Sequence, residues 1–179
     1  MAERSRTTLL ATTAASMWLV WTVDLVVPGR IGHGIVPRTT YGLYGIVMAP
    51  FIHGNLQHLL ANTIPFVLLG AIILLRGAHA FTFVMLLSAA VSGMGTWLFG
   101  TPNTQHIGAS GVVFGFFGYL LVRAVYDRRL SSAFIAIVIA VLYGATLLSS
   151  LVPSQGISWT SHVFGFLGGA FAARLRYRG

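Results

Sequence analysis

The sequence predicts an all-α polytopic membrane protein, a bundle of six transmembrane helices with a partly embedded first loop. Three observations lead there. Hydrophobic residues make up 56% of the chain and charged residues 8%, with mean hydropathy +0.82; soluble domains carry about 25% charged residues. The apolar residues are gathered into six runs with mostly short connections, each of a length suited to a hydrocarbon core of ~30 Å. No run alternates apolar with polar residues, which removes the strand as an organising element.

The 179 residues are the natural size of one domain, 1–179, with a short cytoplasmic tail, 1–8, ahead of the first span. That span, 9–27, follows Arg4 and Arg6, a pattern that also fronts secretory signal peptides. Its length and the spans that follow favour a retained helix, with Asp24 near the outer end. The only long connection, 27–52, is rich in Gly and Pro and carries Arg30 and Arg38, yet 41–48 is apolar. It is expected to form a collar partly embedded in the outer interface, its tyrosine rings at headgroup level. Five more spans follow at 56–75, 81–99, 108–122, 133–151 and 159–175.

A net charge of +8 and a pI near 11.2 would suit a nucleic-acid binder, but the distribution of the charge points to topology. With the N-terminus inside, one side of the membrane receives Arg4, Arg6, Arg76, Arg123, Arg128, Arg129, Arg174, Arg176 and Arg178; the other receives Arg30 and Arg38. The expected partner is therefore the lipid bilayer and no nucleic acid. Both termini are placed in the cytoplasm, in a bacterial plasma membrane.

Counting back from these arginines gives depth. Ser110 precedes Arg123 by 13 residues, His162 precedes Arg174 by 12, and Asn62 precedes Arg76 by 14. At 1.5 Å per residue all three lie ~18–21 Å from the arginine side, on three different helices. Polar residues within spans usually face the bundle interior or a wet cavity.

Ser110 stands in Gly108-Ala109-Ser110-Gly111 at the head of an apolar helix. Flanking glycines allow close approach to its hydroxyl, and the unpaired first amides of the helix favour negative charge there. The same four residues also fit plain small-residue packing between membrane helices. His162 shares a helix face with Gly165 and Gly169; it fits either an interhelical hydrogen-bonder or a general base for Ser110. In His53-Gly54-Asn55-Leu56-Gln57-His58-Leu59-Leu60-Ala61-Asn62, His58 and Asn62 are four apart on one face, and both can donate to an oxyanion. A polar helix start explains His53 and Asn55, but not the deeper Asn62.

Other chemistries lack their residues. There is no cysteine, no His-Glu-x-x-His and no carboxylate near a histidine, so no metal site and no cofactor is called for. Glu3, Asp24 and Asp127 are the only acids, none deep, which disfavours a paired-aspartate protease and most proton-coupled transport. His33, His79 and His106 are read as loop bystanders.

Gly-Ala-Ser-Gly, His-x-x-x-x-His-x-x-x-Asn and His-x-x-Gly-x-x-x-Gly, on the fourth, second and sixth spans, together resemble the rhomboid family of intramembrane serine proteases in its six-span bacterial form. The resemblance implies a rhomboid-like bundle in which Ser110 is the nucleophile and His162 the base. The oxyanion site would comprise the His58 and Asn62 side chains and the Ser110 backbone amide, with His53 in a supporting role. Gly108 and Gly111 match the serine motif, and Gly165 and Gly169 the close helix contact. Phe114 stands where tyrosine is frequent and can still stack on His162. Ser161 replaces a common alanine, and Pro37-Arg38 stands in a loop that lacks the Trp-Arg pair of some members. The implied activity is serine endopeptidase cleavage in or beside transmembrane segments of membrane-protein substrates. A catalytically silent, client-binding rhomboid-like protein is the alternative.

Overall fold

The computed structural model describes residues 2–27, 32–149, 152 and 156–178. Among the described residues the chain is helical with no strand, in six long helices and one short one. They are α1 (Ala2–Val26), α2 (Tyr44–Met48), α3 (Leu56–Leu74), α4 (Ala78–Phe99), α5 (Ser110–Asp127), α6 (Leu130–Ser149) and α7 (Trp159–Arg178). The segments Arg6–Val26, Leu56–Leu74, Ala78–Phe99 and Ser110–Asp127 are long and apolar enough to cross a membrane. Arg30 and the expected span end at Leu151 lie outside the described residues.

The helix ends depart from the apolar runs in instructive ways. α1 begins at Ala2, so the expected tail is part of the first helix; an apolar stretch propagates helix into neighbours once nucleated. α4 begins at Ala78, behind Gly77 at φ 107°, which puts His79 on a helix and not in a loop. α5 runs on to Asp127 and stops where Arg128 turns left-handed at φ 50°.

The collar has regular structure that composition did not reveal. α2 is flanked by 3-10 turns at Tyr41–Leu43 and Ala49–Phe51. Its Ile46 covers Gly93 of α4 so closely that a Cβ there would lie 2.5 Å from the isoleucine side chain. Arg38 straps the collar to the end of α4, its guanidinium donating to the carbonyls of Leu98 (2.7 Å) and Gly100 (3.0 Å). Trp97 Nε1 donates back to the Thr39 carbonyl at 2.8 Å.

α5 is the central post: residues 111–120 are all buried. Below the serine, Phe116 packs with Phe66 of α3 and Phe81 of α4, ring centroids 5.3 and 5.6 Å away. Against α7 the contact is backbone to backbone. A Cβ on Gly165 would fall 2.1 Å from the Gly111 carbonyl oxygen, and one on Gly169 would fall 1.7 Å from that of Gly115. On the α4 side, Ser88 and Ser92 occupy the space beside Gly115 and Gly111. Small residues therefore hold α4, α5 and α7 at close range, as packing in lipid requires when no hydrophobic force distinguishes helix from tail. α6 packs on α5 and leaves a broad apolar face outward, with Phe134, Ile137 and Val141 exposed.

Candidate active site

The glycine contacts set the distance between two polar side chains one turn above them. Gly165 seats α7 on Gly111, and three residues earlier His162 Nε2 lies 2.9 Å from Ser110 Oγ. His162 is buried and its ring stacks flat on Phe114, centroids 4.1 Å apart and planes 1° from parallel. The phenyl face fixes the imidazole plane without a hydroxyl. Beside it the Ser161 hydroxyl meets Ser92 Oγ at 2.8 Å, and Ser92 also donates to the Ser161 carbonyl at 2.9 Å. That pair ties α4 to α7 immediately before the histidine.

Ser110 is the first residue of α5, where amides have no carbonyl one turn back. The turn into it needs Gly108, at φ 102°, whose amide donates to the Ala49 carbonyl at 2.8 Å. Two side chains converge on that glycine: a Cβ there would lie 2.6 Å from His58 Nε2 and 3.3 Å from Asn62 Nδ2. Asn62 is buried and gives one amide hydrogen to the His58 carbonyl at 2.9 Å, so its second hydrogen is available. α3 is held in register by Asn55, whose side chain accepts from the His58 amide at 2.8 Å, an N-cap bond.

His58, Asn62, Ser110, Phe114 and His162 all line one cavity of about 1180 Å³. Leu142 and Tyr143 of α6 and Trp159 of α7 form part of its far wall. The three residues placed at one depth by counting from the arginines thus share one hollow.

His53 lies outside that lining. It is buried, its ring edge-on to His58 at 5.1 Å, with Nδ1 3.2 Å from the Phe51 carbonyl oxygen. Burial, and next the neighbouring His58, lower its pKa to about 4, although the Phe51 hydrogen bond opposes the shift. The ring is neutral at ordinary pH and packs edge-on against His58.

His106, expected to be a bystander, belongs to the cavity wall. Its backbone pairs with Ile35 in an isolated antiparallel bridge, both bonds 2.9 Å. Its ring nitrogens meet Thr104 Oγ1 at 2.9 Å and Ser158 Oγ at 2.7 Å, and burial lowers its pKa. The Ser158 backbone carbonyl accepts from the His162 amide at 3.2 Å. His106 therefore links three parts: its backbone holds the collar at Ile35, and its imidazole joins the serine loop at Thr104 to Ser158 at the head of α7. No local pattern announces it, because two of its three partners, Ser158 and Ile35, are 52 and 71 residues away in sequence. His33 is exposed, beside Tyr41.

Comparison with known proteins agrees with this architecture. The family model described as Rhomboid domain matches residues 41–179. An uncharacterized protein of Mycobacterium tuberculosis is 37% identical over 177 residues, covering 94% of this chain and 74% of the relative. An uncharacterized protein of Mycobacterium leprae is 36% identical over 175 residues, covering 93% and 69%. A Bacillus subtilis protein carrying the name "Putative rhomboid protease YdcA" is 29% identical over 119 residues, covering 66% and 59%. The chain is an integral membrane protein and belongs to the rhomboid family.

Proposed function

We propose that the protein is an intramembrane serine endopeptidase that hydrolyses peptide bonds in or beside transmembrane segments of other membrane proteins. The observation that carries this reading is the 2.9 Å approach of His162 Nε2 to Ser110 Oγ in the wall of a large cavity. An imidazole at that distance can take the hydroxyl proton as the oxygen attacks a carbonyl. The resulting oxyanion forms beside the first amide of α5, within reach of His58 Nε2 and the second hydrogen of Asn62 Nδ2. Three donors fixed before the reaction stabilise charge without reorganising. The imidazolium next protonates the leaving amine, and the acyl group stays on Ser110. Water then attacks the ester, His162 again acting as base, and the carboxylate product leaves.

The cavity, about 1180 Å³, exceeds the ~300–1,000 Å³ of ordinary small-molecule pockets and suits a short extended peptide. A substrate helix has to unwind locally to enter, because its carbonyls are otherwise hydrogen-bonded within the helix. In this reading both termini face the cytoplasm and the cavity opens toward the outer side of the plasma membrane. No dyad acid is needed; Phe114 orients the imidazole by stacking.

The test is cleavage of a single-span reporter protein by the purified enzyme in lipid. The wild type cuts it, and Ser110→Ala and His162→Ala, folded to the same thermal midpoint, do not. Cleavage by Ser110→Ala would end the proposal.

A further inference from the structure

At the opposite, arginine-rich end of the bundle, α3, α5 and α6 enclose a second hollow of about 210 Å³. Ile72, Leu120 and Ile135 supply apolar wall, and Arg76, Arg129 and Ser132 supply polar wall. One carboxylate serves this neighbourhood. Asp127 pairs with Arg76 and accepts from Ser132 Oγ at 3.0 Å, and Arg123 Nε lies 2.8 Å from its other oxygen. Arg128 and Arg129 are exposed and have no carboxylate partner among the described residues. Among the described residues, then, Arg76, Arg123, Arg128 and Arg129 gather where α3 and α5 end and α6 begins, and Asp127 is the one acid paired there.

We propose that this hollow binds the phosphate of an anionic phospholipid from the leaflet at the arginine-rich end. At about 30 Å³ per water, 210 Å³ admits a phosphodiester and its glycerol carbons but not acyl chains. The chains run outward past Ile72 and Ile135 into the bilayer. Arg129 meets the phosphate directly; Arg76, held by Asp127, presents its remaining N–H groups; Ser132 donates its hydroxyl hydrogen to Asp127 and so keeps the carboxylate turned to Arg76. Basic pockets between membrane helices are suited to anionic headgroups, whose charge is concentrated at that level. The apolar half of the wall favours a lipid over free phosphate, which would leave Ile72, Leu120 and Ile135 facing water. Occupancy joins α6, otherwise attached chiefly to α5, to the end of α3.

The experiment is native mass spectrometry of the full-length protein titrated with phosphatidylglycerol or phosphatidylcholine in detergent, paired with melting curves in nanodiscs of each lipid. The expected result is preferential retention of phosphatidylglycerol and a higher melting temperature in its presence. Arg129→Gln should weaken retention about five-fold, the equivalent of ~1 kcal/mol per basic residue at an anionic surface. Ser132→Ala should weaken it less, and Arg174→Gln, at the end of α7, should leave it near the wild-type value. Equal retention of both lipids, or an equal loss in Arg174→Gln and Arg129→Gln, would overturn the site. Inorganic phosphate that displaces the lipid and reproduces its thermal protection would identify the ligand as free phosphate and overturn the lipid assignment.

Discussion

Gly165→Ala tests whether helix spacing governs the reaction. The new Cβ would start 2.1 Å from the Gly111 carbonyl oxygen, whereas ordinary contact begins near 3.4 Å. Both atoms belong to rigid helix backbone, so α7 has to move about 1.3 Å from α5 at that level. His162 lies within one turn of Gly165 and moves with it. Its 2.9 Å contact with Ser110 opens to about 4 Å, beyond the ~3.6 Å at which a hydrogen bond is lost. A misplacement of ~1 Å costs about 10²-fold in rate, and overpacking costs about 1–3 kcal/mol of stability. The assay is initial-rate cleavage of a single-span reporter, with a melting curve to separate the two effects. Gly168→Ala, whose Cβ would meet Val91 Cβ at 3.0 Å, should lose less, and Gly144→Ala, with nothing within 4 Å, should cleave normally. Wild-type turnover by folded Gly165→Ala would refute the reasoning that the glycine seam sets the Ser110–His162 distance.

Three further outcomes follow from individual side chains. Asn62→Ala should lower kcat by ~10²–10³ with little change in KM, as loss of one oxyanion donor does elsewhere; full activity in the His58 and Asn62 double variant would remove both from that role. His106→Phe should cut cleavage severalfold and lower the melting temperature, with partial recovery in His106→Gln, since an amide can still bridge Thr104 and Ser158. The buried neutral state of His53 makes the fold acid-sensitive. With the folded pKa lowered to about 4 from 6.5, the unfolded chain binds more protons between those values. Stability present above pH 6.5 is then lost as pH falls toward 4. Melting curves across that interval should show the loss in the wild type and a flatter profile in His53→Gln.

Much of the architecture was legible because membrane helices declare themselves by length and polarity. The six apolar runs correspond to the six long helices, and the common depth of Asn62, Ser110 and His162 corresponds to their shared cavity. The glycines were readable too, since Gly165 and Gly169 repeat at one helical turn and meet Gly111 and Gly115 on the facing helix. What escaped depends on partners distant in sequence. α2 is only five residues long and is secured by α4, while Arg38 straps the loop before it to the end of α4, contacts with no local periodicity. His106 does lie in a loop, but it looked like a bystander because its contacts are with Ile35 and Ser158, one earlier and one later in the chain. Helix ends were the other weak point: α1 extends through charged residues that are good helix formers, and His79 falls inside α4 because Gly77 turns the chain just before it.

The most direct measurement is covalent labelling of the membrane-embedded protein with a fluorophosphonate, which reacts with a serine only when its hydroxyl is activated. The wild type should label stoichiometrically at Ser110, located by peptide mass spectrometry, and His162→Ala should label at a small fraction of that rate. An unlabelled wild type, or a label carried by another residue, would contradict the assignment of Ser110 and His162 as a working nucleophile and base.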